Sequence, residues 1–116
     1  MAKVLISPGK YVQGAGEMKK LGEYAQNYGK KALILISKGG YKRIGAMVEK
    51  SFEGKECGYV FDYFNGECSK KEIKRLGEIV KKEACDVVIG IGGGKIFDTA
   101  KAVAYYEKTP VLICPT

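Results

Sequence analysis

Apolar runs alternate with amphipathic stretches along the whole chain, and this alternation predicts the secondary structure. Residues 31–37 and 86–91 are almost continuously apolar, as expected of strands buried on both faces of a parallel sheet. Shorter apolar runs predict further strands or extended pieces at 4–6, 11–13, 59–64 and 111–114. Helical spacing of apolar residues predicts helices at 17–28, at 41–52, at 69–83 and from 93–95 to Thr109.

The connections between these elements carry turn and capping signals. Lys38-Gly39-Gly40 is predicted to be the turn that follows the strand at 31–37, and Asn65-Gly66 predicts another turn. Ser69 and Glu72 form a capping-box pattern, in which each side chain accepts a hydrogen bond from a free amide at the helix start. Because strands and helices alternate, we expect one α/β domain over residues 1–116, with right-handed crossovers, a parallel sheet and helices on both faces.

Composition narrows the class of protein. The balance of 46% hydrophobic and 28% charged residues is typical of a soluble globular domain. No apolar run reaches the roughly 18–20 residues that a membrane helix needs. The four cysteines form no C-x-x-C pair, which favours reduced thiols in a cytoplasmic protein over two disulfides. Histidine is absent, so the commonest acid–base group at neutral pH and the commonest metal ligand are missing.

The net charge of +7 allows a nucleic-acid interpretation. Acidic residues are mixed among the basic ones, as in Lys70-Lys71-Glu72 and Lys81-Lys82-Glu83, so solvated helix faces explain the charge better. A positive field that attracts anionic ligands fits either interpretation. We therefore expect neither a nucleic-acid partner nor a membrane partner.

The most informative segment is a buried strand that leads through three consecutive glycines into a helix. Gly92, Gly93 and Gly94 would let the backbone approach a ligand closely, and the helix start would supply unpaired amides and a partial positive charge. Lys95 puts a cation in the first turn, where the helix dipole disfavours it, so an anionic ligand would account for it. A tight connection would need only one glycine. The turn therefore predicts a phosphate site.

Two familiar glycine motifs do not fit this turn. The dinucleotide fingerprint requires glycine where Lys95 stands, and the phosphate loop of nucleoside-triphosphate enzymes requires Ser or Thr where Ile96 stands. On the following helix Lys95, Asp98, Thr99 and Ala102 share a polar face by their spacing. Asp98 either complements the dipole in the first turn or takes part in the site, and the sequence leaves both interpretations open.

The chain resembles the iron-containing alcohol dehydrogenases, and within them the glycerol dehydrogenases. Four segments spread along the chain carry the resemblance: S-P-G-K-Y-V-Q-G at 7–14, G-E-C-S at 66–69, G-I-G-G-G-K-I-F-D-T-A-K-A at 90–102, and Pro115-Thr116. The G-G-G-K-x-x-D-T-A-K run is specific to this group. Dehydroquinate synthases share the fold and the glycine run, but they typically continue with glycine and phenylalanine after the aspartate.

The resemblance implies a Rossmann-like parallel sheet, followed in the family by a helical metal-binding domain. It implies that the turn Gly92–Lys95 contacts the cofactor diphosphate, that Asp98 lies by the nicotinamide, and that Thr116 starts a loop under the cofactor. The family's zinc or other divalent metal is held by one aspartate and two histidines of the helical domain. Since this chain has no histidine, we expect a fragment or an isolated domain that lacks the metal site.

One departure from the family concerns the choice of cofactor. Glycerol dehydrogenases usually carry an aspartate that binds the adenosine ribose hydroxyls at the position where this chain has Ser37, followed by Lys38. A carboxylate there repels a 2′-phosphate, whereas Ser and Lys tolerate or attract one. The resemblance therefore implies NAD, with NADP also possible.

Together these inferences predict the NAD(P)-binding domain of a metal-dependent glycerol or polyol dehydrogenase. In the intact enzyme it would oxidise glycerol to dihydroxyacetone, and we expect a homo-oligomer. A lyase domain of the dehydroquinate synthase type is one alternative. A stand-alone, non-catalytic nucleotide-binding module is another.

Overall fold

A computed structural model describes residues 9–11 and 16–115 of the chain. The described strands form one parallel sheet: β1 (Gly9–Tyr11), β2 (Lys31–Ile36), β3 (Gly58–Tyr63), β4 (Val87–Gly92) and β5 (Val111–Pro115). The described helices are α1 (Leu21–Gln26), α2 (Lys38–Ser51), α3 (Lys70–Glu83) and α4 (Gly94–Glu107), with a short 3-10 helix at Met18–Lys20 before α1. The strand predicted at 4–6 and residues 12 and 13 lie outside the described residues.

The order of strands in the sheet is β1-β5-β4-β2-β3. From β2 the chain moves outward to β3 and then crosses back past β2 to β4. The connections after β2 and after β4 therefore lead away in opposite directions and run on opposite faces of the sheet. Ile36 and Ile91 are paired in register, so the carboxyl ends of β2 and β4 lie side by side. Open α/β sheets bind ligands in the crevice outside the strand ends at such a switch point.

Helices cover both faces of the sheet, as the sequence predicted. On one face α1 and α2 bury Leu21 and Val48 against the strands. On the other, α3 and α4 bury Leu76 and Val103. All side chains from Ala32 to Ile36 in β2 are fully buried, which explains why this strand is apolar at every position rather than at alternate ones.

The start of α2 differs from the prediction. Lys38-Gly39-Gly40 was expected to be a turn, but these residues form the first turn of the helix. The Ser37 hydroxyl oxygen accepts a hydrogen bond from the Gly40 amide at 2.9 Å. A serine cap of this kind stabilises a helix start by about 1 kcal/mol, which offsets much of the low helix propensity of the two glycines.

The start of α3 confirms half of the predicted capping box. The Ser69 hydroxyl accepts a hydrogen bond from the Glu72 amide at 3.1 Å. The Glu72 carboxylate, however, accepts from the Asn65 amide at 3.3 Å and forms two 2.8 Å hydrogen bonds with Arg75. A guanidinium in reach draws the carboxylate away from the Ser69 amide, because charge-assisted hydrogen bonds are the stronger ones.

All four cysteines are free thiols, as the sequence predicted. Cys57, Cys85 and Cys114 are buried, whereas Cys68 is exposed. Burial raises the pKa of the Cys57 thiol to about 11 and that of Cys114 to about 12, so both are protonated at neutral pH. Within residues 16–115, no helix has the length and apolar character needed to cross a membrane.

Candidate functional site

The turn after β4 and the start of α2 meet at the switch point of the sheet. Ser37 directly follows β2, and Gly93 directly follows β4, its neighbour in the sheet. On the other side of β4, Gly92 is paired with Pro115 of β5. The fold therefore brings together two segments that sequence analysis had selected separately.

The glycines around this turn serve two different purposes. A side chain at Gly90 would place its Cβ 2.9 Å from the Ala100 Cβ, so glycine is needed there for close packing of α4 on β4. Gly92 has φ +145°, and a Cβ there would lie 2.7 Å from Ile96. A Cβ at Gly93 or Gly94 would meet none of the described residues within 4 Å. Internal packing therefore explains Gly90 and Gly92, but it does not explain Gly93 and Gly94.

The first turn of α4 lacks the side-chain cap that α2 and α3 have. Its N-cap residue is Gly93, which has no side chain, whereas Ser37 and Ser69 cap the other two helices. The amides at a helix start have no partner within the helix, and the helix dipole adds a partial positive charge there. A bare backbone, free amides and a positive end are the properties that a phosphate requires, so this turn fits a diphosphate.

Lys95 lies in the first turn of α4 and is exposed. Its Nζ atom forms an ion pair with the Glu67 carboxylate at 3.2 Å. Sequence analysis did not predict this contact, because Glu67 lies 28 residues earlier, in the loop between β3 and α3. The sequence held one signal for this contact: the loop contains one of the segments that carry the family resemblance.

The structure excludes one of the two interpretations of Asp98 and shows that Thr99 is buried. Thr99 follows Lys95 by one helical turn, as its spacing predicted, but it is fully buried, and its hydroxyl donates a hydrogen bond to the Lys95 carbonyl at 2.8 Å. Asp98 is the fifth residue of α4, beyond the first turn, so the dipole interpretation does not hold. The Asp98 side chain is exposed, and Thr116 lies outside the described residues.

Basic side chains surround the start of α2. The Lys38 Nζ lies 5.9 Å from the centre of the Tyr63 ring, and Tyr63 is exposed at the end of β3. Arg43, which sequence analysis did not select, reaches back over Gly39: its Nη1 lies 3.7 Å from the point that a Cβ on this glycine would occupy. No acidic residue occupies the first turn of α2. This corner of the switch point therefore favours an anion over a cation.

The metal that the resemblance implies does not fit the described residues. Within 16–115, no group of three or more Asp, Glu, Cys or His side chains could hold a metal ion. A catalytic zinc site requires three protein ligands and an open position. No chemical step at a metal can therefore be assigned to this part of the chain.

The fold is that of the doubly wound α/β proteins, with an uncapped glycine turn at the switch point. Residues 8–115 match the profile of the iron-containing alcohol dehydrogenase family, and the chain belongs to this family. It is 41% identical over 116 residues to a glycerol dehydrogenase of Citrobacter freundii and 45% identical over 123 residues to one of Thermotoga maritima. These alignments cover 100% of the chain but 32% and 31% of the relatives, so the chain spans about a third of their length.

The solved structures agree with this assignment. Glycerol dehydrogenase from Schizosaccharomyces pombe superposes with a TM-score of 0.81 at 29% identity, covering 98% of this chain and 29% of that one. The matched region of the relatives is their N-terminal part. The resemblance inferred from the four sequence segments is thus confirmed.

Proposed function

We propose that this chain is the dinucleotide-binding domain of a glycerol or polyol dehydrogenase and that it binds NAD or NADP at the switch point. The observation that carries the proposal is the turn after β4, where Gly93 and Gly94 leave the backbone bare without a packing reason. The glycerol dehydrogenases among the relatives support the choice of enzyme. They also favour it over a dehydroquinate synthase-like lyase and over a non-catalytic module.

Each selected residue has a distinct part in this proposal. The amides that follow Gly93 would donate hydrogen bonds to the diphosphate, and Lys95 would neutralise part of its charge. The diphosphate can approach the backbone closely and without strain only if no side chain projects from Gly93 or Gly94. Asp98, one turn further along α4, would lie towards the nicotinamide, and Thr116 would follow β5 beneath the cofactor. The nicotinamide supplies the hydride chemistry, and the protein supplies orientation and charge.

The adenosine end would lie at the start of α2. Ser37 offers a hydroxyl in place of a carboxylate, and Lys38 and Arg43 add positive charge beside it. A 2′-phosphate would meet no acidic residue in the first turn of α2 and would gain two cations, so NADP should bind about as well as NAD. The substrate, a divalent metal and the homo-oligomeric state belong to the proposal for the intact enzyme.

A single substitution tests the diphosphate site. Gly94→Val should abolish detectable binding of ADP-ribose, because the branched side chain would fill the space that the diphosphate needs. The fold should survive, since a Cβ at this position meets no described residue within 4 Å. Titration calorimetry measures the affinity, and circular dichroism checks the fold.

The matched control is Gly58→Val. Gly58 is the first residue of β3, so it lies at the amino-terminal ends of the strands, whereas the proposed site lies at their carboxyl ends. Its Cβ would lie 3.9 Å from the Lys30 carbonyl oxygen, an ordinary contact, and valine favours strands. This variant should bind ADP-ribose as the unaltered protein does. Equal affinity in the Gly94→Val and unaltered proteins would refute the site.

A further inference from the structure

We propose that Glu67 is a built-in counter-anion of the phosphate site, which holds Lys95 when no dinucleotide is bound and which the diphosphate must displace. The inference rests on the proposed function, because it concerns the same turn. It assigns to Glu67 the role of weakening dinucleotide binding.

The Glu67–Lys95 contact is an exchangeable one. The carboxylate oxygen Oε2 lies 3.2 Å from the lysine Nζ, and the two side chains are 73% and 65% exposed. Ion pairs exposed to this degree contribute little to stability, because water solvates both charges and the pair costs side-chain entropy. The fold therefore does not require this pair, and Lys95 can change partners.

The backbone that carries Glu67 is fixed more firmly than its side chain. The Glu67 amide donates to Asn65 Oδ1 at 3.1 Å, and the Asn65 amide donates to the buried Glu72 carboxylate at 3.3 Å. One residue earlier, the Phe64 amide donates to the Ile36 carbonyl at 2.9 Å, which ties the loop to the end of β2.

Arg75 holds the other end of this anchor. Besides its two hydrogen bonds to Glu72, it donates to an Asp62 carboxylate oxygen at 2.9 Å and to the Tyr63 carbonyl at 3.3 Å. These contacts connect the start of α3 to the end of β3. These contacts hold the backbone of the loop in place, while the exposed side chain of Glu67 can turn away from Lys95.

This arrangement has a definite consequence for affinity. A diphosphate entering at Gly93 and Gly94 brings two negative charges to the ammonium that already pairs with Glu67. After displacement the carboxylate stays nearby, because its backbone is anchored, and it repels the ligand over a distance that salt limits to about 8 Å at physiological ionic strength. Glu67 thus lowers affinity and favours release of the dinucleotide, a step that limits turnover in many enzymes.

The test uses variants of the full chain in which one carboxylate is replaced by an uncharged amide of the same shape. We expect Glu67→Gln to bind ADP-ribose about threefold to tenfold more tightly at low salt. Most of this gain, about twofold to fivefold, comes from no longer breaking an exposed ion pair, and the loss of repulsion by the displaced carboxylate adds less than about twofold. In about 0.5 M NaCl the gain should fall below about twofold. Glu78→Gln, which removes an exposed carboxylate more than two turns further along α3, should leave the affinity unchanged.

A second pair of variants tests whether the effect acts through Lys95. In a Lys95→Met background there is no ion pair for the diphosphate to break, and only the repulsion between Glu67 and the ligand remains. Adding Glu67→Gln should therefore gain less than in the unaltered protein, below about twofold. An equal gain in both backgrounds would mean that Glu67 acts only by repelling the ligand and not by pairing with Lys95. That result would overturn the inference.

The remaining outcomes separate the inference from the proposed function. If ADP-ribose binds, but equally well to the Glu67→Gln and unaltered proteins, the inference is wrong and the proposed function stands. Weaker binding by Glu67→Gln would mean that Glu67 orients Lys95 for the ligand, which also overturns it. If neither protein binds ADP-ribose, both the inference and the proposed function fail.

Discussion

At the scale of single residues, the candidate site depends on side chains that are absent as much as on those present. Glycine at 90 and 92 is set by the fold, while glycine at 93 and 94 leaves the surface open. The same reasoning applies to Ser37. Its hydroxyl oxygen caps α2, so any substitution has to preserve a cap before its effect on a ligand can be interpreted.

Ser37→Asp meets that condition, because aspartate caps a helix as well as serine does. The unaltered protein should discriminate between NAD and NADP by less than about tenfold, or ~1.4 kcal/mol. The added carboxylate should repel the 2′-phosphate and weaken NADP binding by about tenfold or more, with NAD binding maintained. Affinities for both dinucleotides, measured by calorimetry, check the prediction.

Ser37→Asn is the matched control, since asparagine also caps but carries no charge. It should leave the NADP affinity close to that of the unaltered protein. A strong native preference for NAD that neither variant changes would show that another residue contacts the ribose and determines the choice of cofactor.

At the scale of elements, the loop after β3 depends on Glu72, whose side chain is fully buried. The hydrogen bonds from the Arg75 side chain hold the pKa of the Glu72 carboxyl below its ordinary value, and the Asn65 amide lowers it further against the effect of burial. As the pH falls, Glu72 is therefore protonated at a higher pH in the unfolded chain than in the folded one. The stabilisation by Glu72 is complete above the ordinary glutamate pKa of about 4.3 and is lost as the pH falls through the lower folded value.

Glu72→Gln should remove this part of the pH dependence. The unaltered protein should lose more stability than the variant between about pH 5 and about pH 3, as urea unfolding midpoints at the two values would show. Glu78→Gln, at an exposed position of the same helix, should behave as the unaltered protein. Parallel losses in all three proteins would contradict the role given to Glu72.

The sequence predicted elements whose signals are local and missed features that depend on distant partners. β2 was predictable because burial on both faces leaves no polar position from Ala32 to Ile36. The first turn of α2 was missed, since one serine cap outweighs two glycines that propensity assigns to a turn. The Glu67–Lys95 pair was missed because the order of strands, which no local pattern specifies, brings these residues together.

At the scale of the whole molecule, the described residues include the proposed dinucleotide site but no group of three metal-binding side chains. We predict that the 116-residue chain by itself does not oxidise glycerol. Catalytic zinc requires three protein ligands, and the described residues offer no such group. The wall that would position a substrate against the nicotinamide, and so supply the advantage of fixed geometry, would have to come from other residues.

A spectrophotometric assay of NAD and NADP reduction, with glycerol and either zinc or manganese added, checks this prediction. The expected rate equals that of a control without protein. Turnover that persists after repurification would mean that this chain alone contains the active site.

The pairing of β1 with β5 affects how the chain folds as it is made. Gly9–Tyr11 has its partner in Val111–Ile113, so among the described strands the first to be synthesised pairs with the last. Ribosomes add about 5–20 residues per second, so the roughly 100 residues between them take on the order of 5–20 s to emerge. Throughout that interval β2, β3 and β4 can assemble, while the first strand has no place in the sheet. A ribosome that stalls before Val111 would leave this strand unpaired and open to other nascent chains.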